Sequence, residues 1–163
     1  MYRCLFLLLL VVGSKFTFAQ KLSVPGLVDM LDWTGKNIDS ALKKQGYLLM
    51  HKEVDSGTAL FQYSELERKP DEKATVHTFS YMDVSIKKIK SRLITYRTYN
   101  KEEYQEISSY LLANNYTSTG KFDFGEAKHT LYSNGSQTIR VKVITTKLKD
   151  GKPIVAYELE LGK

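Results

Sequence analysis

The stretch KEEYQEISSYLLAN, residues 101–114, puts Tyr104, Ile107, Ser108 and Leu111 on one stripe at helical spacing. Asn100 in front of it is a favoured N-cap, and Glu103 stands three residues on, as in a capping box. Asn115 tolerates the left-handed conformation that stops a helix. The pattern predicts a helix over 101–114. An earlier stripe, Ile38, Ala41, Leu42 and Gln45, predicts a second helix that stops at Gly46. A short apolar turn, Gly26 to Trp33, precedes it and is set off by Thr34-Gly35, so the chain is expected to begin helix-turn-helix here. Elsewhere the period is two. Val155, Tyr157, Leu159 and Leu161 alternate with Ala156, Glu158 and Glu160, and Ile139, Val141 and Val143 alternate with Arg140 and Lys142. Turn signals at Ser56-Gly57, Lys69-Pro70-Asp71, Gly125-Glu126, Asn134-Gly135 and Asp150-Gly151 bound the strands. They predict strands near 47–54, 58–65, 74–84 and 91–99, then 117–124, 128–133, 137–147 and 153–161. No helix separates strands within either group, so the sheet is expected to be antiparallel and the class α+β.

The two helices carry a further signal. IDSALKKQGY, Ile38 to Tyr47, and ISSYLLANNY, Ile107 to Tyr116, share Ile, Ser, Leu and Tyr at the same offsets. The separation of Ile38 from Ile107 recurs between Tyr63-Ser64 and Tyr132-Ser133. LITY (Leu93 to Tyr96) resembles IVAY (Ile154 to Tyr157) at a shorter separation. The expectation is two helix-plus-four-strand units in tandem, 20–100 and 101–163, with helices packed on one face of the sheet and the other face open.

Residues 1–19 have a basic Arg3, an apolar run from Leu5 to Val12, and small residues Thr17 and Ala19 before Gln20. This is the pattern of a cleavable secretory signal, and the run is too short to span a bilayer. It predicts a secreted or periplasmic protein with no membrane span after cleavage. The single cysteine, Cys4, leaves with the signal. A disulfide, a thiol nucleophile and a thiolate metal site are then excluded. The 24 basic residues against 18 acidic ones lose only Arg3 and Lys15 with the leader, so a mild positive excess remains. That falls short of a nucleic-acid footprint. His51, His77 and His129 have no metal-ligand spacing, and each is expected on a strand surface. There is no phosphate-binding glycine loop and no serine elbow. No cofactor and no enzymatic activity are expected.

A secreted tandem α-β4 chain built on IDSALKKQGY and ISSYLLANNY resembles the β-lactamase inhibitor protein fold. It is also similar to the PepSY-like and small outer-membrane-assembly modules of bacterial envelopes. The resemblance is architectural and covers nearly the whole chain after the signal. It implies an open sheet face that binds another protein. The inhibitors themselves carry disulfides, which this chain lacks after cleavage.

Tyrosine is abundant, with eleven in the chain. His77, Phe79 and Tyr81 alternate with Thr78, Ser80 and Met82. Carrying the repeat across pairs them with Arg140, Lys142 and Ile144, on the outward set. On that register His77, Phe79, Tyr81, Arg97, Arg140 and Lys142 form a partner-binding surface suited to an acidic protein. A slip of one residue would instead make the three rings core. The remaining alternatives are a carrier of a small ligand and a small hydrolase using exposed carboxylates.

Overall fold

The computed structural model of the protein describes residues 22–65, 77–148 and 150–163. The proposed signal and the Lys69-Pro70-Asp71 turn lie outside the described residues. Among the described residues there are three helices: α1 (Val24–Met30), α2 (Gly35–Lys44) and α3 (Lys101–Ala113). The strands are β1 (Tyr47–Asp55), β2 (Thr58–Glu65), β3 (Thr78–Ile86), β4 (Ile89–Thr98), β5 (Thr117–Phe124), β6 (Ala127–Ser133), β7 (Thr138–Lys147) and β8 (Pro153–Gly162). They form one antiparallel sheet in the order β1-β2-β3-β4-β8-β7-β6-β5. β4 and β8 therefore meet at the centre, and β1 and β5 lie at the edges.

The helix signals act locally. Thr34 Oγ1 accepts the Asn37 N–H at 3.3 Å and starts α2. Gly46 (φ +87°) and Asn115 (φ +61°) take the left-handed turns that end α2 and α3. The helix-turn-helix start expected here is present: the apolar segment forms the short helix α1, which Ser23 caps by accepting the Gly26 N–H at 3.3 Å. Asn100 Oδ1 accepts from the N–H groups of Glu102 and Glu103 at 2.8 and 3.3 Å. The capping box is not closed by Glu103, however. Thr98 Oγ1 accepts the Asn100 N–H at 3.1 Å, which leaves the Glu103 carboxylate free to turn inward.

Register fixes which side chains share a sheet face. Tyr63, Phe79, Tyr96, Leu159 and Val141 are successive cross-strand partners, as are Phe61, Tyr81, Ile94, Leu161 and Ile139. These two rows carry the sheet's share of the core. Ile38 and Leu42 of α2, Ile107 and Leu111 of α3, and Leu27 and Met30 of α1 belong to the same cluster. Leu42→Ala or Leu111→Ala, each deleting a fully buried side chain, should cost about 2–5 kcal/mol in chemical denaturation. A loss below about 0.5 kcal/mol would mean the helical faces are wrongly assigned.

The pairings also match between the two hairpins that follow α2 and α3. Leu49 pairs with Tyr63 and Ser118 with Tyr132, at the separation already seen between the helices. Each edge strand then bulges at the next residue, Met50 in β1 and Thr119 in β5. Further along, the sequence alignment needs correction. Phe79 faces Tyr63, and Ile139 faces Tyr132. On the expected two-unit reading, these pairings set Phe79 against Ile139 and Tyr81 against Val141. Likewise Ile94 pairs with Tyr81 and Leu159 with Val141, so Ile94 matches Leu159 and not Val155. On that reading the likeness of LITY to IVAY does not match the strand pairings.

Candidate functional site

That correction moves half of the expected surface. His77, Phe79 and Tyr81 are 8%, 1% and 2% exposed and lie in the core, not on the outer face. The reason is parity. The alignment that set Phe79 against Lys142 is three positions from the observed match, and an odd shift reverses every side chain. The outer face is made by the alternate rows. One runs Ser64, Thr78, Arg97, Glu158, Lys142, His129 and Phe122 in cross-strand order. Arg97, Arg140 and Lys142 do come together there, and the three rings do not join them.

The basic side chains of this face are neutralised from within it. Arg97 Nη2 donates to Glu158 Oε2 at 2.6 Å, and Lys142 Nζ donates to Glu158 Oε1 at 2.7 Å. Lys142 also reaches Glu160 Oε2 at 2.7 Å, and Arg140 Nη1 meets Glu160 Oε1 at 2.9 Å. Burial alone would raise the Glu158 pKa, but the hydrogen bonds from Lys142 and Arg97 outweigh it and hold it below the usual carboxylate range. Both ionised partners are therefore fixed at neutral pH. Three cations against two carboxylates leave a small positive excess. Beside this network is a shallow cleft of about 280 Å³, lined by Met50, Gln62, Thr78, Ser80, Thr95 and Arg97 among others.

The edge of the same face carries aromatic surface that the sequence reading passed over. Phe122 is 44% exposed and Phe124 77%. Phe122 stacks on His129 with centroids 4.7 Å apart, and Phe124 meets the same ring edge-on at 6.5 Å. His129 is buried beneath them, and neither ring nitrogen has a hydrogen-bond partner. An imidazole without a partner is costly to bury. The alternation in KFDF was a legible signal, since Phe122 and Phe124 share the face of the outward residues.

A second unexpected cluster lies inside the protein. His77 Nδ1 is 2.6 Å from Glu65 Oε2, and His77 Nε2 is 2.8 Å from Glu103 Oε2. Tyr96 Oη donates to Glu103 Oε1 at 2.6 Å, and Thr98 Oγ1 donates to Glu103 Oε2 at 2.7 Å. The Tyr96 ring lies parallel to His77 at 5.9 Å. A neutral imidazole has one N–H, so donation to a carboxylate on each side requires the imidazolium. Burial opposes that charge, but hydrogen bonds to Glu103 and then Glu65 outweigh it and raise the His77 pKa to about 9. Burial likewise opposes the charge on Glu103, and bonds from His77, Tyr96 and Thr98 bring its pKa below the ordinary value. Because the ring sits between the carboxylates, their oxygens do not converge on a common point. Among the described residues no group of three His, Cys, Asp or Glu side chains could hold a metal ion. The cluster ties β2, β3, β4 and α3 together.

A cleft of about 480 Å³ beside Trp33, Asp83 and Arg92 has a structural explanation. Arg92 Nε and Nη2 bind Asp83 at 2.5 and 2.8 Å, and Nη1 donates to the carbonyls of Met30 and Trp33. Its donors fasten the α1–α2 turn to the β3–β4 hairpin. None of the described helices is long and apolar enough to cross a membrane. No protein-family model matches the chain, and no curated protein or solved structure matches it either.

Proposed function

We propose that this is a non-catalytic binding protein of the secreted or periplasmic space that takes another protein on the open face of its sheet. In this reading the chain is a tandem of two α-β4 units, with the helices on the opposite face. The matched hairpin registers, the matched bulges at Met50 and Thr119, and the shared helix stops support the duplication. The resemblance to β-lactamase-inhibitor-like and PepSY-like envelope modules rests on that architecture. The observation that carries the binding reading is the group Phe122, Phe124 and His129. It sets two exposed rings over a buried imidazole that lacks a partner. Exposed aromatics anchor protein contacts because they bury large area with few torsions to freeze. The small positive excess of Arg97, Arg140 and Lys142 over Glu158 and Glu160 favours an acidic partner surface and faster association at low salt.

The test is a quantitative pull-down from the envelope of the source cells. Phe122→Ala and Phe124→Ala should each weaken retention of the specific partner by about 1–3 kcal/mol. Phe124, at 77% exposed, contributes little to folding, so Phe124→Ala should change stability by about 0.5 kcal/mol or less. Unaltered retention by the double variant would overturn the reading.

A further inference from the structure

We propose that the cleft between α2 and the β1–β2 edge binds a small planar anion, an aromatic ring bearing a carboxylate, sulfonate or phosphate. The cleft holds about 360 Å³, enough for one or two fused rings. Its floor is the half-buried ring of Phe61, backed by a ladder of buried rings. Phe61 stacks on Tyr81 at 4.6 Å and 13°, and Tyr63 follows Tyr81 at 6.3 Å and 18°. The rim is cationic. Lys36 and Lys43 come from α2 and Lys52 from β1. The one carboxylate lining the cleft, Asp39, is already engaged. Its Oδ2 pairs with Lys43 at 2.8 Å, and its Oδ1 accepts the Tyr63 hydroxyl at 3.3 Å. Lys52 Nζ lies 5.4 Å from the Phe61 ring centre, so a positive charge already sits above the stacking floor. A ring slid onto that floor would place its anionic group among Lys36, Lys43 and Lys52.

Two features show a site and not merely loose packing. Gly35 opens α2 beside the floor, and a Cβ there would stand 2.8 Å from the Tyr81 hydroxyl. A larger residue would push Tyr81 from its place in the ladder. The second feature rests on the duplication reading, although the cleft itself does not. In the other unit Tyr104 takes the place of Gly35 and stacks on Tyr157 at 4.3 Å. Thr130 and Val141 replace Phe61 and Tyr81, while Gln105 and Leu112 replace Lys36 and Lys43. One copy of the module thus folds without either the ring ladder or the paired helix lysines. Folding alone does not ask for them in the other copy.

The probes are 2-naphthoate, cyclohexanecarboxylate and 2-naphthalenemethanol, titrated separately into the purified protein by calorimetry. Naphthoate should saturate one site and bind at least about tenfold more tightly than either control. The double variant Lys36→Glu/Lys52→Glu changes two exposed side chains and should lose at least about tenfold in naphthoate affinity while its thermal midpoint holds. Phe122→Ala/Phe124→Ala should leave naphthoate binding unchanged, because those rings lie on the opposite sheet face. The proposal is overturned by no saturable naphthoate binding up to about 5 mM. Equal binding of the controls, or full binding by the lysine variant, would overturn it too.

Discussion

Replacing His77 with alanine should cost about 3–5 kcal/mol of stability, because it leaves Glu65 and Glu103 facing each other with no cation between them. The pKa of His77 supports that size. One pKa unit corresponds to about 1.4 kcal/mol, so a rise from 6.5 to about 9 is worth on the order of 3 kcal/mol. The pH dependence follows from the two shifts. His77 has a raised folded pKa, so its contribution is complete below about pH 6.5 and lost as pH rises through about 9. Glu103 has a lowered one, so its contribution is present above its unfolded value of about 4.5 and lost as pH falls through its folded value. Stability from the cluster should therefore peak between about pH 5 and 7. Urea denaturation of the wild type and His77→Gln across pH 5–10 checks this. The wild type should lose stability progressively between about pH 6.5 and 9 and level off above, and the variant should not. Parallel curves would show that His77 is not the charged bridge.

Phe79→Ala should cost about 3–5 kcal/mol, since the ring is buried against Tyr63 and Tyr81. Ser80, its neighbour on the outer face, should tolerate alanine within about 0.5 kcal/mol. This alternation, read by chemical denaturation, is a direct measure of the β3 register. A loss below about 1 kcal/mol for Phe79→Ala would return that ring to the surface.

The residues that misled the sequence reading show what one-dimensional patterns carry. Turns were legible because glycine and asparagine are placed by backbone need. Gly57, Gly125, Gly135 and Gly151 all take positive φ where hairpins were expected. Helix stops at Gly46 and Asn115 were legible for the same reason. The register of β3 was not. Residues 66–77 separate β2 from β3, whereas only 134–137 separate β6 from β7, so positions cannot be carried across by counting. Only the cross-strand pairing of Phe79 with Tyr63 settles the parity. Glu103 was legible as a capping residue, but its carboxylate is drawn inward by groups distant in sequence. His77 and Tyr96 reach it only once the sheet has formed. Arg97, Arg140 and Lys142 were correctly placed outward. Their partners Glu158 and Glu160 also read outward, yet nothing in the pattern foretold that the charges would pair so closely.

Photo-crosslinking addresses the open-face reading most directly. A photoreactive side chain at Ser80, Thr95 or Phe124 samples the outer face, and one at Leu112 samples an exposed position on α3. The account predicts a discrete protein adduct in the envelope from the three outer-face positions and none from Leu112. An adduct from Leu112 alone, or none from any outer-face position, would contradict it.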